Sequence, residues 1–327
     1  MARLLFITDP LAGFKLEKDS TFAMMRAAQQ RGHTIWVATA NRIRCRANLP
    51  TTGPTTLPSV AATEIALQTD LTPGSSHQAW WRGLKEATLG PEDIDIILMR
   101  KDPPFDVDYL VATQMLEVFE RMGVRVVNRP QALRDHGEKL SALEFPQWMP
   151  PGLVSADMAE LRAFAQEHPK VVYKPLDAMG GSGIFVTEAA DPNLPVILEL
   201  LTNLGTRAIM AQRHLPEIVE GDKRILLIDG EPVPHALARI PPAGASRGNL
   251  AAGGRAHVQP LTARDQAIAA ALGPTLAARG LFLVGLDVIG EHLTEINVTS
   301  PTGFQEITRQ TGFDVADHFI TSLEGLL

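Results

Sequence analysis

Cysteine is almost absent from this 327-residue chain: Cys45 stands alone, so no internal disulfide can form. None of the nine histidines has another histidine four residues away or a cysteine at zinc spacing, which excludes the usual structural zinc patterns. A basic excess is missing too. Thirty Lys and Arg against 37 Asp and Glu give a formal charge of -7 and a pI near 5.7. Binding nucleic acid without regard to sequence needs a positive field to displace counterions, so small-molecule partners fit this chain better than nucleic acid. Long apolar runs are lacking. The first, Leu4 to Ile7, is soon ended by Asp9-Pro10, too short for a signal-peptide core, and no run approaches a membrane span. The expectation is a cytoplasmic chain with no membrane partner. Internal repeats and low-complexity tracts are absent as well. What remains is 45% hydrophobic and 20% charged, the balance of a globular enzyme large enough for two or three lobes and a cleft.

Apolar runs at Arg3 to Thr8, Thr34 to Ala38 and Ile94 to Met99 alternate with helical patterns at Ser20 to Arg31 and Val107 to Met122. Asp19 or Ser20 serves as the first N-cap, and Gly32 and Gly123 stop the helices. Strands alternating with helices predict a parallel sheet, whose ligands bind beyond the carboxyl ends of the strands, near Asp9 and Arg100 to Asp102. Residues 41–90 show little periodicity and read as an elaborated connection with one strand near Glu64 to Leu67 and a short helix around Trp80. After Val124 to Val127, a helix is expected to carry Arg134 to Lys139 and run toward Phe145. A second helix at Met158 to Glu167 and the strand Val171 to Lys174 follow, and from Ala208 onward the pattern becomes mainly antiparallel. The expected fold class is therefore α/β, with an N-terminal unit over 1–123, a central unit over 124–207 and a C-terminal unit over 208–327.

Four stretches carry chemistry. Val284 to Val298 reads as a β-hairpin turning at Gly290-Glu291-His292, which opposes Asp287 to Glu295 and Gly285 to Asn297 on one wet face. Two opposed carboxylates and an amide suit a hard divalent cation such as Mg²⁺. Lys174 ends an apolar strand and precedes Gly180-Gly181-Ser182-Gly183, a flap whose backbone N–H groups can meet phosphate oxygens. Neither a Walker sequence nor a dinucleotide fingerprint is present. If Asp229-Gly230 is a two-residue turn, Asp222, Arg224 and Arg239 share a face, and paired guanidiniums there suggest an anion site. Residues 241–255, with Arg247 and Asn249, form a long loop of small residues suited to a lid. Each stretch also has a plain alternative: a solvated hairpin face, a glycine-rich turn with an extended lysine, an Asp-Arg surface ladder, an ordinary loop. For all four to coincide by accident on one acidic chain is the weaker account.

The order Lys139, Lys174 with its glycines, Arg224, Arg239, a lid, then Asp287 and Glu295-x-Asn297 resembles the ATP-grasp ligases. Within them, Lys18-Asp-Ser-Thr-Phe-Ala-Met-Met25, Leu98-Met-Arg-Lys-Asp-Pro-Pro-Phe-Asp106, Asn128-Arg-Pro-Gln-Ala-Leu-Arg134, Arg247-Gly-Asn-Leu-Ala-Ala-Gly-Gly-Arg255 and Glu295-Ile-Asn-Val-Thr-Ser-Pro301 are similar to the bacterial glutathione synthetases. Nearly the whole chain is covered, apart from about 41–90, and Ala178 stands where the family's flap usually has glycine. The resemblance implies an ATP-grasp fold behind a Rossmann-like N-terminal domain. It also implies ligation of γ-glutamylcysteine and glycine through an acyl phosphate, with Mg²⁺ or alternatively Mn²⁺. By the same resemblance, Lys139, Lys174, Gly180, Gly181, Gln212, Leu215, Asp222 and Asn249 would bind ATP, and Arg224, Arg239 and Lys174 would act in catalysis. Ser20, Arg100, Arg247, Ser300 and Thr302 would bind substrate, and Asp287, Glu295 and Asn297 the metal. A homo-oligomer, specifically a homotetramer, is implied as well. The alternatives are another ATP-grasp ligase, acting on D-alanine or on peptide glutamates, and a non-catalytic nucleotide-binding relative.

Overall fold

The computed structural model describes residues 1–48, 55–68, 80–177, 180–242 and 253–327. The first sheet has parallel β1 (Arg3–Ile7), β2 (Thr34–Ala38), β6 (Ile96–Met99) and β7 (Arg125–Val127) in the spatial order β2-β1-β6-β7. Helices α1 (Ser20–Gln30) and α2 (Val107–Arg121) are the crossovers that parallel strands require. Asp19 caps α1 by accepting the Phe22 N–H at 2.7 Å, and Asp106 caps α2 through Tyr109 at 2.8 Å.

The connection over 41–90 holds more strand than its pattern suggests. Antiparallel β3 (Ile43–Asn48), β4 (Thr55–Leu67) and β5 (Trp81–Leu89) extend the sheet beyond β2. The single strand and short helix expected there are thus corrected: β4 begins well before Glu64, and Trp80 leads into a strand. β5 is exposed along Arg82 to Glu86, so it lacks the inside-outside alternation that reveals a strand. Trp80 is nonetheless buried, stacked on Phe14 and edge-on to Phe22.

A second correction falls between the units. α3 (Pro130–Asp135) ends at His136, well short of Phe145, and the chain continues in an irregular turn and short 3₁₀ segments. The Glu138 carbonyl there accepts the Ile296 N–H at 2.8 Å, an attachment that a continuing helix could not make.

The central sheet has the order β10-β9-β11-β8, from β8 (Gly152–Ser155), β9 (Val171–Pro175), β10 (Phe185–Thr187) and β11 (Ile209–Arg213). α4 (Met158–Glu167) and α5 (Leu194–Thr202) cover it with a core of their own around Leu161, Tyr173 and Leu198. β11 lies beyond residue 207 but is hydrogen-bonded between β8 and β9, so the break expected before 208 would cut this sheet.

The third sheet, β14-β13-β12-β15-β16, is antiparallel: β12 (Asp222–Ile228), β13 (Glu231–Ile240), β14 (Arg255–Pro260), β15 (Leu283–Ile289) and β16 (His292–Asn297). α6 (Ala263–Ala278) packs on the face that carries Ile225, Leu227, Val284 and Leu286. α7 (Phe304–Thr311) and α8 (Val315–Glu324) return to the N-terminal domain, where Arg31 and His33 both bind Glu324. This leaves one patch of the third sheet's opposite face, beside β9 and β11, to form the floor of a cavity.

Candidate functional site

Register decides what that floor presents. Across β15 and β16, Asp287 opposes Glu295 and Gly285 opposes Asn297, as the hairpin pattern predicts. The turn is one residue tighter than expected, because Val288 pairs with Leu293 and Ile289 with His292, leaving a bulge at Thr294. Across β12 and β13, Asp222 pairs with Arg239, two residues away from the register that a simple Asp229-Gly230 hairpin would set. A one-residue slip would have turned the side chains over. A slip of two keeps Asp222, Arg224 and Arg239 on one face.

That face forms a layered charge network. Arg224 lies opposite Asp287, donating from Nε at 2.5 Å and from Nη2 at 3.0 Å, while Arg239 reaches the same carboxylate at 2.8 Å and Asp222 at 2.5 Å. Burial alone would raise the Asp287 carboxyl, but the two guanidiniums outweigh it and hold the group well below the usual carboxylate range. Burial pushes Asp222 up to about 6 against the pull of Arg239, with Asp287 and Glu295 adding repulsion. One Asp222 oxygen is buried without a partner. Above Asp287, Glu295 is held more loosely, 3.4 Å from Lys174 Nζ and 3.8 Å from Lys139 Nζ.

These groups line a cavity of about 320 Å³. Its roof is Gly180, Gly181 and Ser182, and Gly180, Gly181 and Gly183 adopt φ of 66°, 77° and 67°, the left-handed region where side chains are strained. One wall is β11 and its continuation through Gln212, Arg213, His214 and Leu215, where the Gln212 Nε2 is buried and unpartnered. The far end is Asp102, Ser300, Pro301 and Thr302. The cavity thus gathers Lys139, Lys174, Gly180, Gly181, Gln212, Leu215, Asp222, Arg224, Arg239, Asp287, Glu295, Asn297, Ser300 and Thr302. Among the described residues no three His, Cys, Asp or Glu side chains form a metal cluster; on the floor, Asp287 and Glu295 offer two carboxylates and Asn297 an amide. Such hard oxygens, two of them on opposed like charges, fit a divalent cation.

Other expected residues lie elsewhere. Ser20 is buried and accepts the Phe304 N–H at 3.3 Å, away from the cavity lining. Arg100 is buried behind the far end, donating to Thr21 Oγ1 at 3.1 Å and to the Pro301 carbonyl at 3.2 Å, so it braces the loop that carries Ser300 and Thr302. Asp9 accepts the Asp102 N–H at 2.8 Å and lines a different cavity, at the ends of β1 and β2. Arg247, Asn249 and most of the expected lid, like Ala178, fall outside the described residues. One lining residue was passed over by the motif reading: Glu138, whose Oε1 accepts the Thr299 hydroxyl at 2.8 Å. Burial, helped by Glu295, raises its carboxyl. Its only signal in the sequence is its place beside Lys139.

Comparison with known proteins finds relatives over nearly the whole chain. Residues 2–134 match the family model of the prokaryotic glutathione synthetase N-terminal domain, and residues 138–312 that of the prokaryotic glutathione synthetase ATP-grasp domain. The chain is 52% identical over 322 residues to a glutathione synthetase of Ralstonia nicotianae, covering 98% of this chain and 95% of that protein. It is 48% identical over 319 residues to one of Neisseria meningitidis serogroup B, covering 98% and 97%. Among solved structures, the D-cycloserine synthetase DcsG superposes with a TM-score of 0.65 at 14% identity over 99% of this chain and all of that one. The ATP-grasp ligase PsnB, solved with a precursor variant, Mg and ADP, gives 0.62 at 16% over 100% and 99%. At such identities these two show the fold alone.

Proposed function

We propose, from the premise that this chain belongs to the prokaryotic glutathione synthetase family, that the cavity between the glycine flap and the β12-β15-β16 floor is where it makes glutathione. The enzyme is an ATP-dependent carboxylate-amine ligase. The carboxylate of γ-glutamylcysteine takes the γ-phosphoryl group of ATP, and the amine of glycine then attacks the acyl carbon and expels phosphate. A free carboxylate is a poor electrophile, and the acyl phosphate must be kept from water, so the reaction needs an enclosed site with fixed charges.

The observation that carries this reading is the meeting, in one cavity, of two buried lysines, two arginines and an opposed Asp-Glu pair. Without nucleotide these groups neutralise one another: Asp287 with Arg224 and Arg239, Glu295 with Lys174 and Lys139. A metal-nucleotide complex brings both complementary partners at once. Asp287, Glu295 and Asn297 would hold the divalent cation, Mg²⁺ or Mn²⁺, which when bound neutralises charge on the transferring phosphoryl group. Lys139, Lys174 and the flap amides of Gly180 and Gly181 would hold phosphates, and Gln212 with the chain to Leu215 the base. Arg224 and Arg239, fixed by their carboxylates, would meet the transferring phosphoryl and the tetrahedral oxyanion, with Asp222 orienting Arg239. Ser300 and Thr302 at the cavity end, braced by Arg100, would meet the peptide substrate. Ser20 would act through the start of α7, and Arg247 and Asn249 would come from the lid. We place the enzyme in the cytoplasm, where ATP is abundant, as a homo-oligomer, with a homotetramer as the specific assembly.

The test is phosphate release from purified enzyme, ATP and Mg²⁺ with each substrate pair. Release that needs both γ-glutamylcysteine and glycine is expected. Release sustained by D-alanine alone would contradict the proposal.

A further inference from the structure

Gly285 stands in the middle of β15, where a residue without a side chain weakens a strand. Its φ lies outside the left-handed region, so its backbone would accept any L-residue. What requires glycine is the space above it. A Cβ built there would lie 2.7 Å from Arg224 Cδ, 3.0 Å from Arg224 Nε and 3.1 Å from Pro301 Cβ. The stem of Arg224 thus runs directly over the Gly285 backbone on its way to Asp287, and its Nε lands 2.5 Å from Asp287 Oδ1. No other residue could pass it there.

We infer that Gly285 is a positioning residue for the ligase reaction: its missing side chain is the slot that seats Arg224 against Asp287. The inference rests on the proposed role of Arg224 in phosphoryl transfer. The geometry also predicts where the disturbance goes. Carbon contacts relax to roughly 3.5–4.0 Å, so a methyl group at 285 displaces the closest atoms by about an ångström. Those atoms belong to a long flexible side chain, not to the backbone. The guanidinium therefore moves, the strand stays, and Pro301 gives by a few tenths of an ångström. Misplacement on this scale costs on the order of 100-fold in rate.

The experiment is a double-mutant cycle of Gly285→Ala and Arg224→Ala in the full-length enzyme. It is read by kcat and KM for ATP in phosphate release and by thermal melting. Expected for Gly285→Ala is a cooperative melt at a temperature lowered by several degrees, because one of the two guanidiniums on buried Asp287 is pushed away, with a kcat lowered about 100-fold and a KM for ATP changed far less. In the Arg224→Ala background the same substitution should change kcat by less than about threefold, because the group it displaces is gone. A crystal structure of Gly285→Ala should show Arg224 Nε out of contact with Asp287. Wild-type kcat in Gly285→Ala overturns the inference, as does an equal loss in both backgrounds. Full turnover by Arg224→Ala alone overturns instead the role given to that arginine.

Discussion

The floor and the roof of the cavity are built on opposite terms. On the floor, Arg224 and Asp287 are nearly inaccessible and paired across neighbouring strands, so each charge is held in place by its complement. The roof offers three glycines in left-handed conformations on a loop leaving β9, from a sheet with its own small core. The floor presents fixed charge in a pocket where it is strongest, and the roof presents backbone that can approach a ligand closely. Substitutions on the floor should therefore affect chemistry, and stability too where they uncover a buried charge. Those on the roof should affect nucleotide binding alone.

The largest effects test the two floor carboxylates against each other. Asp287→Ala should abolish turnover and also lower stability by about 3–5 kcal/mol in denaturant titration, because it strands two buried guanidiniums. Glu295→Ala should also reduce turnover about 1000-fold or more, but with a smaller stability loss than Asp287→Ala, since that side chain is 21% exposed and its contacts to the buried Lys139 and Lys174 are long. Equal stability losses in the two variants would erase the distinction between tightly and loosely held acid. On the roof, Gly181→Ala puts a side chain in the left-handed region at a cost of about 1–2 kcal/mol, which the loop sheds by leaving its phosphate-facing conformation without disturbing the sheet cores. The expected result is a KM for ATP raised about tenfold with kcat and melting little changed; a comparable fall in kcat would mean that the flap does more than bind.

A smaller effect has the opposite sign. Glu295→Gln removes the acid that competes for Lys139 and Lys174, so metal-free ADP measured calorimetrically with chelator should bind a few-fold tighter than to wild type. Unchanged or weaker binding would show that these pairs are not in competition with phosphate.

The smallest effect lies outside the cavity, where Arg31 and the buried His33 hold a half-buried Glu324. The Arg31 hydrogen bond, opposed by slight burial and helped by His33, lowers this carboxyl to about 2. A depressed acid stabilises the fold above its ordinary range, and that stability is lost as pH falls toward the folded value. Glu324→Gln should therefore melt about 2 °C lower than wild type near neutral pH, the gap closing as pH drops from 4.5 toward 2. A gap independent of pH would assign the effect to packing.

The floor was legible because its signal is local and periodic: alternation over Val284 to Val298 sets which side chains share a face. Even the two-residue slip between β12 and β13 left that reading intact, since only parity matters to the face. The partners were not legible. Nothing near Asp287 in the chain announces Arg224, 63 residues away, or that its guanidinium would pass over Gly285. The same limit misplaced Arg100, whose polar turn suggested a pocket lining while its guanidinium is turned inward to the Pro301 carbonyl. Residues 41–90 failed for a different reason. A strand such as β5, exposed over five successive residues, has no buried stripe to betray it.

The most direct test of the central claim is a crystal of the enzyme with ADP and Mn²⁺, with the anomalous signal of manganese locating the ion. The account predicts a peak within coordination distance of Asp287, Glu295 and Asn297, between them and the nucleotide phosphates. Bound nucleotide with the manganese peak away from the β15-β16 floor would contradict it.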